Sequence, residues 1–200
     1  MSKLRRILIN ESSLNRVWKH TTEHDSGIIS AFRYAKDCSE GDIYTKKENM
    51  DRNAILKAKL LVKGYNITPI KGVYIENYKS DNEIDVNENS FLVIDIKDMG
   101  KLRDDLKKLG KIFEQDSITF SKSNGEYFII GTNKCPDSYP GYGIISKLGK
   151  TIYGKKGVFH SKINGRPFVF EGVNGRTNRL RNFSISEIRS ITNLSERRIT

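Results

Sequence analysis

Three carboxylates are placed where a folded sheet could gather them. Glu76 ends an extended run, Glu88 precedes the next apolar run, and Asp116 stands just before a later one. Acids at neighbouring strand ends can hold a divalent metal, and a metal so held activates water against a phosphodiester or nucleotide. The ordinary use for such acids is capping helices and solvating strand ends. A second set is basic. Tyr139, Tyr142, Tyr153, Phe159, Phe168 and Phe170 run among Lys147, Lys150, Lys155, Lys156, Lys162 and Arg166, and Arg176, Arg179 and Arg181 follow. Lysine and arginine neutralise phosphates, and exposed rings stack on unpaired bases. The expected nucleic-acid contacts are therefore Arg33, Lys155, Lys156, Arg176, Arg179 and Arg181.

Other chemistries are excluded by missing spacings. Neither G-x-x-x-x-G-K-[ST] nor G-x-G-x-x-G occurs, and Gly141-Tyr-Gly143 reads as a turn. G-x-S-x-G is absent, and neither cysteine has an obvious activating neighbour. His20 and His24 are four apart, but no Glu follows His20 directly, so H-E-x-x-H fails and no metal site is assigned to the histidines. Phe159-His160-Ser161 resembles one half of a two-histidine phosphoesterase element, and a second strand-borne copy is lacking. Cys38 and Cys135 lie in polar, turn-like surroundings without C-x-x-C spacing, which reads as a reducing compartment rather than a disulfide framework.

The elements that must position these residues follow from periodicity. A short helix is expected over Glu11 to Thr21 with Leu14, Val17 and Trp18 on one face, then a buried strand over Gly27 to Arg33. Thr45-Lys-Lys-Glu48 is a capping box, and the helix after it carries a stripe of Met50, Ala54, Ile55, Ala58, Leu61 and Val62 before Gly64 ends it. Tyr65 to Glu76 is extended, with Pro69 marking an edge or irregularity, Asn77 to Glu88 is a loop, and Phe91 to Asp95 is a buried strand. A second helix spans about Met99 to Glu114 with Asp98 as N-cap, and strands flank the Asn124-Gly125 turn. The order matches an α+β fold of ferredoxin-like type, a split βαβ antiparallel sheet with two helices on one face. A basic β-hairpin around Asn164-Gly165 and a helix beginning near Ser184 extend it. The expected division is an N-terminal helical segment over 1–22, the ferredoxin-like domain over 23–135, and a basic extension over 136–200.

The formal net charge is +11, and it is unevenly spread. Twelve basic and three acidic residues follow position 140, against 23 and 21 before it, so the tail is where a polyanion would be met. Apolar runs are far too short to cross a membrane, and Ile7-Leu8-Ile9 is too short for a secretory signal.

Ile28-Ile-Ser-Ala-Phe-Arg33, Tyr44-Thr-Lys-Lys-Glu-Asn49, Arg52-Asn53, Lys63-Gly64-Tyr65, Gly72-Val-Tyr-Ile-Glu76, Glu88-Asn-Ser-Phe91 and Gln115-Asp-Ser-Ile118 resemble small uncharacterised proteins of tailed bacteriophages, especially those of gut bacteria. The resemblance covers roughly residues 7 to 143 and brings no motif of known chemistry. It implies a phage accessory or virion-associated protein, in the host bacterial cytoplasm or the virion. The resulting expectation is a non-enzymatic protein without a cofactor, whose basic C-terminal region contacts nucleic acid or an acidic viral or host protein. One alternative is a metal-dependent phosphodiester- or nucleotide-processing enzyme using Glu76, Glu88 and Asp116; another is a purely structural virion component.

Overall fold

Strand β1, Ser26–Ser30, alternates sharply: Gly27, Ile29 and the following Ala31 face one way, Ser26, Ile28 and Ser30 the other. Both faces are used. The computed structural model describes residues 16–33, 36, 38, 42–76, 84–135, 138–153, 159–163 and 165–170. Along these, helix α1 (residues 16–23) and β1 are followed by α2 (Lys46–Val62), β2 (Asn66–Glu76), β3 (Ile84–Ile94), α3 (Leu102–Ile112), β4 (Ser117–Lys122) and β5 (Glu126–Gly131). Strands β6 (Ile145–Tyr153), β7 (Phe159–Ile163) and β8 (Arg166–Phe170) are the last elements of the described residues. All neighbours pair antiparallel in the order β1-β3-β2-β7-β8-β6-β5-β4, and β4 returns to β1 to close an eight-stranded barrel.

The α+β class expected from the sequence is the one adopted. The sheet differs from the expected open one in being closed, because β5 to β8 continue it: β7 pairs with β2, and β6 with both β5 and β8. The basic hairpin around Gly165 is thus part of the barrel wall. An eight-stranded barrel is just wide enough inside for side chains. Ile70, Leu92, Ile94, Ile163 and Phe168 fill it, joined by Val17 and Trp18 from α1. The outer face of β1, β3 and β4 is covered by α2 and α3, where Ile29, Phe91, Val93, Ile118 and Phe120 meet Leu56, Leu60, Leu102, Leu106 and Leu109. Each such fully buried side chain contributes about 1.5–3 kcal/mol. Close approach depends on Gly27, where a Cβ would stand 2.4 Å from the Thr119 carbonyl and 2.5 Å from Leu106.

Local readings fare unevenly. Thr45 and Glu48 form the capping box, Gly64 adopts φ +87 just past α2, and Gly125 turns the β4–β5 hairpin at φ +69. Pro69 sits on the part of β2 that β7 does not reach, since that pairing starts at Lys71, so its missing N–H breaks no ladder. The α2 stripe was displaced: Met50, Ile55, Leu61 and Val62 are 52, 52, 51 and 88% exposed, and the buried face is Asn49, Asn53, Leu56 and Leu60. The reason is polar. Asn49 and Asn53 are needed against the unpaired backbone beyond β1. The expected loop before Glu88 is strand from Ile84, because the β2–β3 ladder runs on to Glu76↔Ile84. Helix α3 begins at Leu102 after Lys101; Asp98, at φ +51, is not its cap. The cysteines, read as too few for a disulfide framework, are joined as a single Cys38–Cys135 disulfide. The helix expected near Ser184 lies outside the described residues.

Candidate active site at the polar end of the barrel

The end of the barrel reached by the C-terminus of β1 is ringed by polar groups that the strand endings leave together. Antiparallel pairing brings the starts of β3 and β4 and the end of β2 to this same end. Beyond Ser30 the chain leaves the sheet, and its backbone must find other partners. Asn49 accepts from the Arg33 N–H at 2.9 Å and donates to its carbonyl at 2.9 Å; Asn53 accepts from the Ala31 N–H at 3.1 Å. Arg52 donates to the Ala31 carbonyl at 3.0 Å and the Phe113 carbonyl at 2.6 Å. Thus one face of α2 holds the Ala31–Arg33 segment against the end of α3.

Asp116 lies at the centre of this arrangement. Its Oδ1 accepts from Arg33 Nη1 at 2.9 Å and from Ser138 Oγ at 3.2 Å. Asn133, 3.5 Å from the same oxygen, also donates to the Glu114 carbonyl. Arg33, only 11% exposed, donates as well to the Glu114 carbonyl and, at 3.2 Å, to Cys135 Sγ. Glu114 accepts from the Tyr44 hydroxyl at 2.9 Å and pairs with Arg52 at 3.6 Å, whose guanidinium stacks 4.0 Å from the centre of the Tyr44 ring. At the edge, Lys36 joins Asp42 and Glu48, each at 3.2 Å. Glu48 is held down at about 2, first by the Thr45 backbone N–H, then by the Thr45 hydroxyl and Lys36. The Asp42 and Glu48 carboxylates raise the Lys36 ammonium.

The inner wall of the same end is lined differently. Alternation along β3 puts Glu88 and Ser90 on the face of Leu92 and Ile94, inside the barrel. Opposite Glu88 stands Gly72, and beside Gly72 stands Ser161, so small residues flank the acid. Asp116 instead continues the alternation of Ile118 and Phe120, on the helix side. The two acids therefore share one end of the barrel across the thickness of its wall. Glu76 closes β2 at this end, paired with Ile84; its side chain lies outside the described residues.

Of the expected nucleic-acid contacts, Lys155, Lys156, Arg176, Arg179 and Arg181 fall outside the described residues. Arg33 is turned inward to Asp116 instead of outward to a polyanion. Sequence reasoning passed over Glu114, Arg52, Tyr44, Asn133 and Ser138. A signal was present for part of this set: Tyr44 and Arg52 lie in the segments that carried the phage resemblance, as do their neighbours Arg33, Asn49, Asn53, Gln115 and Asp116.

Chemically, the cluster holds two fixed cations, Arg33 and Arg52, beside two fixed anions, Asp116 and Glu114. A zwitterion can insert into such a pairing, giving its carboxylate to a guanidinium and its ammonium to a carboxylate.

The model of the S-adenosylmethionine lyase family matches residues 27–169. No curated protein matches the chain. A solved structure described as a phage SAM lyase in complex with S-methyl-5'-thioadenosine is similar at 20% identity, covering 55% of this chain and 90% of its own, with a TM-score of 0.29. The family match overturns the non-enzymatic reading, in which a virion-associated, nucleic-acid-binding protein worked through its basic tail. It also replaces a phage resemblance without chemistry by a family named for a reaction. The matched region runs from β1 into β8 and contains every described residue of the polar end, and the chain belongs to the S-adenosylmethionine lyase family.

Proposed function

We propose that this chain is an enzyme that breaks a carbon–sulfur bond of S-adenosylmethionine without water, and that the substrate is held at the polar end of the barrel. The family match across residues 27–169 carries the reading. The sulfonium sulfur is positively charged and leaves as a neutral thioether, so the bond breaks without a cofactor. Loss of the methionine chain from sulfur gives S-methyl-5'-thioadenosine, the compound bound in the similar phage structure. The electron pair that replaces the broken bond comes from an anion. Either the substrate's own carboxylate attacks the carbon leaving sulfur, closing a lactone, or an enzyme carboxylate removes a proton from the neighbouring carbon, leaving an alkene. Both routes consume a positive and a negative charge together, which a site shielded from water favours.

The residues supply what either route needs. The amino-acid end of the substrate is a zwitterion, and the Arg33–Asp116 pair offers both complementary charges. Glu88, on the inner side of the same end, would supply negative charge for the sulfonium or accept the proton. We also keep the ferredoxin-like reading for the segment from β1 to β4, whose spatial order β4-β1-β3-β2 with a helix after β1 and β3 is the split βαβ order. We place the enzyme's work in the bacterial cytoplasm, where its substrate is made; among the described residues no helix is long and apolar enough to cross a membrane.

The test is incubation with S-adenosylmethionine in oxygen-18 water, with mass spectrometry of the first products. S-methyl-5'-thioadenosine and a four-carbon product free of solvent oxygen are expected. Absence of the thioether, or solvent oxygen in the initial four-carbon product, would overturn the proposal.

A further inference from the structure

Helix α1 carries a second set of chemistry-bearing side chains, at the opposite end of the barrel from Asp116. The ligand atoms of His20, Glu23 and His24 lie within 4.8 Å of one another. Positions i, i+3 and i+4 fall on one helix face, so the backbone itself gathers them. Their spacing is H-x-x-E-H, the reverse of the zinc pattern sought in the sequence and itself a known arrangement for metal binding. The two rings stand 5.7 Å apart at an interplanar angle of 34°.

Two further observations point to a ligand. His24 Nδ1 lies 2.9 Å from Asp98 Oδ1, across 74 residues of sequence. A carboxylate on Nδ1 fixes it as the N–H and leaves the Nε2 lone pair for a metal, the usual outer partner of a metal-bound histidine. Asp98 reaches this position from a left-handed backbone conformation, φ +51, uncommon outside glycine. Among the described residues, His20 Nδ1 is buried without a hydrogen-bond partner. A buried ring nitrogen left so is unfavourable unless something outside the chain satisfies it, and a metal ion is such a partner.

We infer that α1 binds one divalent transition-metal ion of the zinc class, with His20, Glu23 and His24 as ligands and Asp98 orienting His24. Two imidazoles and one carboxylate suit zinc, and water completes its tetrahedron; magnesium and calcium prefer oxygen donors throughout. Binding replaces only the exposed Lys19–Glu23 pair, at 3.6 Å, whose contribution is small. The ion's consequence is mechanical. Helix α1 inserts Val17 and Trp18 against the barrel interior, and Asp98 belongs to the turn after β3. Metal on His24 strengthens the link between them, so this end of the barrel is stapled when the ion is bound.

The experiment uses untagged, chelator-treated protein titrated with Zn²⁺ by calorimetry, with thermal melting followed in parallel. One equivalent is expected to bind and to raise the melting temperature, while Mg²⁺ does neither. His20→Ala and His24→Ala should each lower affinity at least 100-fold, and Asp98→Asn about 10- to 100-fold through the orienting partner. Glu23→Gln, at an exposed position, keeps the test open if a histidine variant fails to fold, and it too should weaken binding. Absence of saturable zinc binding by the wild-type protein, or one-equivalent binding retained in folded His20→Ala/His24→Ala, would overturn the inference.

Discussion

The two ends of the barrel are finished by opposite means. At the end where β1 begins, α1 presses Trp18 and Val17 onto the interior residues, with Trp18 edge-on to Phe168 at 5.3 Å. At the end where β1 finishes, hydrogen bonds from Asn49, Asn53 and Arg52 hold the departing chain, and the Cys38–Cys135 bridge ties it to the segment after β5. An apolar plug excludes everything and needs no directional geometry. A rim of paired charges is costly to desolvate, but it stands ready to exchange an internal partner for a ligand. On the proposed function, the plugged end serves stability and the polar end meets the substrate.

The largest expected effect breaks the polar end alone. Asp116→Asn keeps the shape and an acceptor for Arg33 and Ser138 while removing the charge. Turnover of S-adenosylmethionine should fall by about 10²–10³-fold, comparable to losing one charge-stabilising group in other enzymes, with the circular dichroism unchanged. Wild-type turnover in a folded Asp116→Asn protein would move the reacting centre elsewhere.

Next is the bridge. Its partners are 97 residues apart, and removing a native cross-link typically costs about 2–4 kcal/mol. Cys135→Ser, or a dithiol reductant, should lower thermal stability. Hydrogen exchange should rise first in the segments around Arg33, which donates to Cys135 Sγ, and Asn133, which accepts from the Cys135 N–H. Exchange rising first in α1 instead would show that the two ends are not independent.

Trp18→Ala attacks the other side of the comparison. Removing a large buried aromatic costs about 3–5 kcal/mol, and Trp18 is only half-buried, so about 2 kcal/mol is expected, a drop of roughly 4–8 °C in Tm. Turnover per folded molecule should stay close to wild type. A loss matching that of Asp116→Asn would erase the division of labour.

What the sequence revealed follows the same division. Local chemistry was legible: the Thr45–Glu48 box and the Asn124-Gly125 turn each depend on a few adjacent residues. Whatever depends on distant partners was not. Periodicity assigned Met50, Ile55 and Leu61 to the core because it counts apolar residues, whereas Asn49 and Asn53 are buried for backbone groups that only the folded β1 exit presents. Closure of the sheet rests on β7 meeting β2 and β6 meeting β8, registers without a local signature. The disulfide joins positions 97 residues apart, a pairing that no local spacing announces. The polar cluster had no short fingerprint, because its groups come from the exit of β1, α2, the end of α3 and the segment after β5, each contributing only a few residues.

The smallest effect concerns the edge of the polar end under acid. Glu48 caps α2 through the Thr45 N–H at 2.7 Å, and its folded value of about 2 lies below its ordinary 4.5. A depressed carboxyl favours the folded state at any pH above its unfolded value, and that contribution fades as pH falls from about 4.5 towards 2. Glu48→Gln retains the possibility of a hydrogen bond to Thr45 but not the charge beside Lys36. In melts from pH 7 down to pH 2.5, wild type and variant should differ most near neutrality and converge in acid. A constant difference across the range would mean that the variant's effect is steric. Because Glu48 serves the start of α2 and Lys36 at the edge, away from Arg33 and Asp116, the same variant should leave turnover at pH 7 nearly unchanged. Polar groups at this end then separate into those that hold the rim and those that meet the substrate.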